Sequence, residues 1–358
     1  MSKKVLAGAV VVALLLGVAA GFAFDAYAPS STTPDSPPLN TSQDPSFEEG
    51  GYVELYRLVS DSVVSIRVDP EDEPDGLGSG FVYDEEGRIV TNEHVVGNES
   101  EVEVRFLPGD WRTASVRGTD VYTDLAVLDV DDPPGYAEAL PVTASPPPHG
   151  TRIAALGNPQ GLEGSLSAGV VAGLNRSMPA PGGYSIPDTV QIDGSVAQGM
   201  SGGPIVSMDG EVIGVTSRGQ ASIGFGVSGT LVDRVVPDLI AEGEVEHPHI
   251  GIRSLEVTPD VAEENDLEEI RGVMVVDVVE DGPAEGVFEG VEDPEADVPR
   301  GGDVILSMDG VEVDSSEELA RVLMVETEPG ESVEFEVLRD GEVETVEVTM
   351  GVRPPPEE

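Results

Sequence analysis

Between about residue 48 and residue 242 the chain is cut into short Val, Ile and Leu runs by Gly, Pro and Asp. Examples are "GFVYDEEGRIVTNEHVV", "VEVRFLPG", "TDLAVLDV", "TRIAALGNPQG" and "EVIGVTSRG". In a run such as Val63-Val64-Ser65-Ile66-Arg67-Val68, successive side chains of a strand point to opposite faces, so alternation buries one face. Many short strands with turn residues between them argue for an all-β barrel or sandwich and against alternating βαβ units. Residues 51–61 are the exception, because Val53, Tyr56, Val59 and Ser60 recur near helical spacing.

The same punctuation divides the chain. "AEGEVEHP", Ala241 to Pro248, reads as a hinge, with 243–248 at its centre. Beyond it, residues 249–352 carry their own strands, "VMVVDVV", "DVILSMDG", "SVEFEVLRDG" and "ETVEVTM". One helical stretch, Ser315 to Val325, places Leu319, Val322 and Leu323 on one face. That is enough for a second domain of ordinary size. Residues 353–358, ending Pro-Pro-Pro-Glu-Glu, read as a disordered tail.

Charge removes whole classes of function. With 18 Lys+Arg against 69 Asp+Glu, the net charge of -51 repels nucleic-acid phosphate and anionic membrane surfaces. Both lysines stand at positions 3 and 4, and every later basic residue of the Lys/Arg pair is Arg. Acid spread over nearly every loop suits a protein hydrated in concentrated salt, where the Debye length falls to roughly 3 Å at 1 M. A salt-loving source is the expectation. The chain has no Cys, which excludes disulfides, thiol nucleophiles, Cys-ligated zinc and lipidated cysteine.

At the N-terminus, Lys3-Lys4 precedes an uncharged apolar stretch from Val5 to Phe24. At about 1.5 Å per residue in a helix it can span a hydrocarbon core of ~30 Å. The lysines favour a cytoplasmic N-terminus with the remainder exported. Ala26-Tyr27-Ala28 has the small-x-small form of a signal-peptide cleavage site, but Pro29 follows it directly. Residues 1–28 are therefore expected to be a retained membrane anchor, with secretion following if they are cleaved. Residues 29–46, "PSSTTPDSPPLNTSQDPS", have the composition of an extended tether.

Three segments carry chemistry. His94 lies in "TNEHVV" and is one of four histidines. "QGMSGGP", 198–204, places Ser201 among glycines, where a tight turn can expose its Oγ. The backbone N–H groups of Gly199 and Ser201 could there hold an oxyanion. In "YTDLAVLDV", Asp124 immediately precedes an apolar strand, as a buried carboxylate orienting an imidazole would, and Asp129 within the strand is the weaker candidate. Taken singly, a histidine on a strand is usually inert and Gly-Ser-Gly is a common turn. Together, His94, Asp124 and Ser201 follow the order and approximate separations of a two-barrel serine protease.

The stretch "GSGFVYDEEGRIVTNEHVV" resembles the HtrA/Deg family of trypsin-like serine proteases. The resemblance continues through "TDLAVL", "ALGNPQGLEGSLSAGVVAGLNR", "GMSGGPIV" and "IGFGV" into the C-terminal region, covering about 51–350. It implies a mainly β fold, with a two-barrel trypsin-like domain over 47–242 followed by a PDZ domain over 249–352. Ser201 would be the nucleophile, His94 the general base and Asp124 its orienting acid. Thr216, Ser217 and Arg218 would pair with substrate backbone as an added strand. Ile223 and Phe225 would form a side-chain pocket favouring small or medium apolar residues. One departure stands out: the family usually has Asn, preceded by Pro-Gly, before the nucleophile, where this chain has Gln198-Gly199-Met200.

"HIGIR", "VVEDGPAEG" and "RGGDVILSMDGVEV" resemble a PDZ domain, which implies capture of peptide C-termini on the loop Ile250-Gly251-Ile252, although residues 288–298 interrupt the usual pattern. Phe47, Tyr52 and Tyr56 lie where the family trimerises, implying a homotrimer or a larger homo-oligomer. No phosphate-binding Gly-Lys-Ser/Thr loop occurs, so no ATP, cofactor or metal is expected. His247-Pro248-His249 reads as solvent-exposed rather than metal-binding, and "DPEDEPDG", 69–76, as an acidic surface loop. The implied substrates are unfolded or misfolded polypeptides. The rival is a non-proteolytic chaperone or PDZ scaffold on the same fold, its oxyanion loop collapsed around Met200.

Overall fold

The computed structural model describes residues 51–68, 76–107, 109–158, 164–180, 184–220 and 223–355. The expected anchor and tether, Phe47, all but Gly76 of the acidic stretch 69–76, and the last three residues of the tail lie outside the described residues.

Two six-stranded antiparallel barrels form the N-terminal part. The first is built from β1 (Val63–Val68), β2 (Gly76–Val82), β3 (Ile89–Thr91), β4 (Glu101–Phe106), β5 (Trp111–Asp120) and β6 (Leu125–Val130), closed in the order β1-β2-β3-β6-β5-β4. The second comprises β7 (Arg152–Gly157), β8 (Ser165–Pro179), β9 (Ser185–Asp193), β10 (Pro204–Ser207), β11 (Val212–Gln220) and β12 (Ile223–Ser228), closed as β10-β11-β12-β9-β8-β7. Closure gives every strand of each barrel a neighbour on both sides over part of its length. The period-two rule explains each wall: in β4, Val102, Val104 and Phe106 point inward while Glu101 and Glu103 face solvent.

Each barrel has its own core, around Val64, Ile66, Ile89 and Phe106 in the first and Ile153, Ile192, Ile205 and Ile213 in the second. A third cluster, including Phe81, Leu125, Leu156, Val215 and Val227, joins them. The helix α1 (Gly51–Val59) occupies the expected helical opening, and a short one-turn helix, α2 (Glu93–Val96), follows β3. His94 therefore sits on a helical turn and not on a strand.

The helix α3 (Gly229–Ala241) seals the seam with Leu231, Val232, Val235, Val236 and Leu239. Its sequence, rich in valine and containing Pro237, reads as strand or turn on propensity. Two signals reveal it as a helix: the buried positions recur at i, i+4 and i+8, and Ser228 Oγ accepts from Leu231 N at 3.2 Å as an N-cap.

The C-terminal part has a sheet ordered β14-β15-β16-β18-β19, from β14 (Ile252–Glu256), β15 (Val273–Val278), β16 (Val304–Met308), β18 (Ser332–Arg339) and β19 (Glu342–Thr349), with β17 (Val311–Glu312) beside β16. Two helices, α4 (Pro259–Glu264) and α5 (Ser316–Glu326), complete it. Residues 288–298 fold back on the sheet: Phe288 and Val291 are buried, and Val291 bridges Gly301.

The 243–248 segment is not an open hinge. Val245 packs on the barrel core, Pro248 is buried, and the two-residue strand β13 (Pro248–His249) pairs with β20 (Gly351–Val352). His247, expected at the surface, is only 3% exposed. The reason is chemical: a carboxylate, Asp120, is waiting for it inside. The PDZ-type helix α5 also packs on the barrels, its Met324 joining their shared cluster, and Arg234 of α3 donates to the carbonyls of Val325 and Thr327.

Candidate active site

Asp124 is the fixed point. It has φ +58°, in the left-handed region that Asp tolerates better than most residues, and its carbonyl accepts from Asn92 Nδ2 at 2.8 Å. Its carboxylate is buried and takes several donors: His94 N at 3.1 Å, His94 Nδ1 at 2.8 Å to each oxygen, and Ser217 Oγ at 2.7 Å. The imidazole is thereby held with Nδ1–H toward the acid, leaving Nε2 as the basic nitrogen, while a third of its side chain stays open to solvent. Asp129 does not compete. It lies 3.3 Å from Arg88 on the outside of the barrel.

Glu93, beside the histidine, is half-buried, and burial pushes its carboxyl above the usual range, with the negative charge of Asp124 acting in the same direction.

Ser201 lies on the loop between β9 and β10, and its Oγ donates to Ser217 O at 2.8 Å. Neither Gly199 N–H nor Ser201 N–H donates to any group among the described residues. The loop is held from the first barrel by Ser79: its N–H donates to Ser201 O at 2.8 Å, its Oγ donates to Gly199 O at 2.7 Å, and its Oγ accepts from Asn158 N at 2.9 Å. Gly202 has φ +86°, and a Cβ there would come within 2.1 Å of Ser79 O, so the turn requires glycine.

Met200, standing where the family usually has Asn, is 2% exposed and packs into the core of the second barrel. It anchors the loop by burial where Asn would use hydrogen bonds. Ser79 was missed in the sequence reading, although the Gly-Ser-Gly opening of β2 carried the signal.

The three residues expected to pair with substrate, Thr216, Ser217 and Arg218, lie on β11. Thr216 is fully buried, its N–H donates to Gly203 O and its carbonyl accepts from Gly202 N, so its backbone is committed inward. A bulge follows at Ser217, which is itself 2% exposed with its carbonyl accepting from Ser201 Oγ and its hydroxyl donating to Asp124, while Arg218 and Gly219 are exposed. Ile223 is exposed and Phe225 half-buried on β12. Beside them Val196, half-buried against the core of the second barrel, nests against two glycines: a Cβ on Gly219 or Gly224 would meet it at 2.6 Å or 2.5 Å.

In the C-terminal part, Ile250 and Ile252, on either side of Gly251 (φ +77°), line a cavity of ≈ 600 Å³ between β14 and α5 together with Leu319, Leu323 and Arg353. Tyr184 and Pro187 of the barrels form part of its wall. Tyr52 and Tyr56 are half-buried against the chain's own core.

Comparison with known proteins agrees with this geometry. Residues 78–215 match the trypsin-like peptidase domain and residues 248–350 the PDZ domain. Protease Do-like 1, chloroplastic, of Arabidopsis thaliana is 32% identical over 361 aligned positions, covering 95% of this chain and 81% of that protein. The chain belongs to the HtrA/Deg family of trypsin-like serine proteases. A probable periplasmic serine endoprotease DegP-like of Halomonas elongata is 35% identical over 287 residues, 77% of this chain and 56% of that protein. The chain thus spans little more than half the length of the DegP-like relatives it matches. Among solved structures, the HtrA-type protease AlgW with tripeptide superposes with a TM-score of 0.70 at 28% identity, over 85% of this chain and 98% of that one. The serine endoprotease from Yersinia pestis gives 0.62 at 27%, with the same two coverages.

Proposed function

We propose that the chain is an ATP-independent serine endopeptidase that works outside the cytoplasm and cleaves misfolded or exposed polypeptide segments. One observation carries the reading: His94 Nδ1 lies 2.8 Å from both oxygens of a buried Asp124, which Ser217 links to the Ser201 hydroxyl. Ser201 Oγ attacks the peptide carbonyl. His94 Nε2 takes its proton and passes it to the leaving amine, while Asp124 keeps the imidazole in the required tautomer and offsets its positive charge. The N–H groups of Gly199 and Ser201 hold the tetrahedral oxyanion, a contribution typically worth about 100 to 1,000-fold per donor. Water then hydrolyses the acyl-enzyme by the reverse proton path.

Ser201 Oγ donates to Ser217 O in the resting protein, so substrate binding must turn the hydroxyl toward His94. Ser217, Arg218 and Gly219 offer the substrate an edge, and Val196, Ile223 and Phe225 give the pocket a preference for small apolar residues. The PDZ domain binds peptide C-termini at Ile250-Gly251-Ile252, consistent with the cavity beside that loop.

The cellular reading rests on sequence and relatives. The names of the DegP-like relatives place those proteins in the periplasm, and the apolar stretch Val5–Phe24 suits a single-pass anchor with the N-terminus inside. Among the described residues no helix is long and apolar enough to cross a membrane. A homotrimer is supported only by the family resemblance around Tyr52 and Tyr56, and a salt-rich setting by the charge of -51. The deciding experiment is cleavage of casein in high salt by the full chain beside Ser201→Ala. Activity lost in the variant supports the endopeptidase; equal inactivity of both, with no phosphonate labelling of Ser201, sinks it in favour of a scaffold.

A further inference from the structure

A second His–Asp pair lies behind the first, with no place in the proteolytic chemistry. His247 Nε2 is 2.8 Å from Asp120 Oδ2, and both residues are almost wholly buried, at 3% and 5% exposure. Asp120 ends β5 and opens the four-residue turn that delivers Asp124. Among the described residues, every other donor its carboxylate receives comes from that turn: Thr123 Oγ1 to Oδ2 at 2.5 Å and Tyr122 N to Oδ1 at 3.2 Å. Asp120 is therefore the internal brace of the turn, and His247 is the one partner among the described residues that reaches it from elsewhere in the chain.

His247 is itself fixed by the C-terminal part. Its carbonyl accepts from Arg353 N at 2.8 Å, and the next two residues pair with Gly351 and Val352. Its ring stands edge-on to Tyr122, 5.6 Å between centroids. Tyr122 is further enclosed by the edge of Tyr184 at 5.3 Å and the guanidinium of Arg353 at 3.8 Å, and its hydroxyl donates to Pro354 O at 2.5 Å. Tyr184 donates in turn to Val121 O at 2.5 Å. All three residues between Asp120 and Asp124 are thus gripped, two of them by groups outside the turn.

We propose that His247 is a positioning residue for the His94–Asp124 pair: by donating Nε2–H to Asp120 it fixes the turn that presents the Asp124 carboxylate. The role is geometric, since no atom of His247 reaches the site. The bonds to Asn92, His94 and Ser217 hold Asp124 from the side of the site, and its left-handed backbone follows directly from the turn that Asp120 braces from behind. Misplacing a catalytic group by about 1 Å can cost on the order of 100-fold in rate. The same bond can be made by any side chain that donates from the same position.

The inference rests on reading His94 and Asp124 as the catalytic pair, so the test uses one readout that needs activity and one that does not. In the full chain, the proton on His94 Nδ1 is followed by its low-field NMR resonance, assigned by its loss in His94→Ala. Peptide hydrolysis supplies kcat and KM. His247→Ala is expected to shift or broaden that resonance and lower kcat by about tenfold to 100-fold, with KM changed less than about twofold. His247→Gln, which keeps an N–H donor, should restore both. Thr123→Val, which removes a single donor to Asp120 at nearly constant volume, should move the resonance the same way by less and decides the matter if His247→Ala does not fold. An unmoved resonance in folded His247→Ala or in Thr123→Val, or a His247→Gln as impaired as the alanine variant, overturns the proposal. Equal inactivity of the unaltered chain and Ser201→Ala would instead overturn the proteolytic reading, and the resonance alone would then judge His247.

Discussion

The two histidine–aspartate pairs have the same contact distance, 2.8 Å, and their aspartates are four residues apart. Yet they differ in every respect that decides chemistry. His94 is one-third open, so its Nε2 can meet a reactant, and its acid is shared with Ser217. His247 is closed off beneath Tyr122, and its acid is shared only with the backbone and hydroxyl of its own turn. A His–Asp hydrogen bond is therefore no signature of catalysis. What the second ring nitrogen faces, and what else the carboxylate holds, separates a reactive pair from a structural one.

The sharpest way to break this contrast is to make the same change on both sides. Asp124→Asn should lower kcat by about 10,000-fold, because the amide favours the wrong imidazole tautomer. Asp120→Asn should act in the opposite sense, costing about 1–3 kcal/mol of stability in denaturant titration by mispairing a buried donor, with a far smaller loss of rate. If the two variants lost activity equally, the distinction drawn between the pairs would be wrong.

Next in size is the loop facing the first pair. Met200→Ala leaves a cavity in the second barrel and is expected to cost about 2–5 kcal/mol. If burial rather than hydrogen bonding anchors the oxyanion loop, Met200→Leu should keep both stability and kcat nearly unchanged, and steady-state kinetics with chemical unfolding would check both.

The smallest effect concerns Glu93, the acid next to His94. Its carboxyl is raised in the folded protein, first by burial and then by Asp124, so the stability it contributes is complete below the ordinary pKa of 4.5 and is lost as pH rises through the folded value. Glu93→Gln mimics the protonated form. It should match the unaltered protein at about pH 4 and melt slightly higher at about pH 7; a gain at acid pH instead would reverse the assigned sign.

The strands were legible because alternation is a local property: Val102, Val104 and Phe106 point inward wherever the chain runs extended, and Gly-Asp turns mark where it stops. The Asp124 and Ser201 segments could be read for the same reason, as a polar residue at the head of an apolar run and a serine among glycines. Gly229–Ala241 is less legible, because its valines and Pro237 disfavour a helix whose stability comes from packing into the seam between barrels. The burial of Thr216 is likewise not local, because which face of β11 is covered depends on the distant turn at Gly202-Gly203.

The sequence by itself determined the strand pattern, the acidic shell, the candidate residues and the family resemblance, since each depends on neighbours along the chain or on residue type. Only the tertiary structure decided that Ser79 holds the oxyanion loop, that Met200 is buried beneath it, and that a supposedly exposed His247 closes on Asp120. Those facts depend on contacts between residues 120 or more positions apart for Ser79–Gly199 and His247–Asp120. No local pattern encodes a partner that only the folding of two barrels and a third sheet brings within 3 Å.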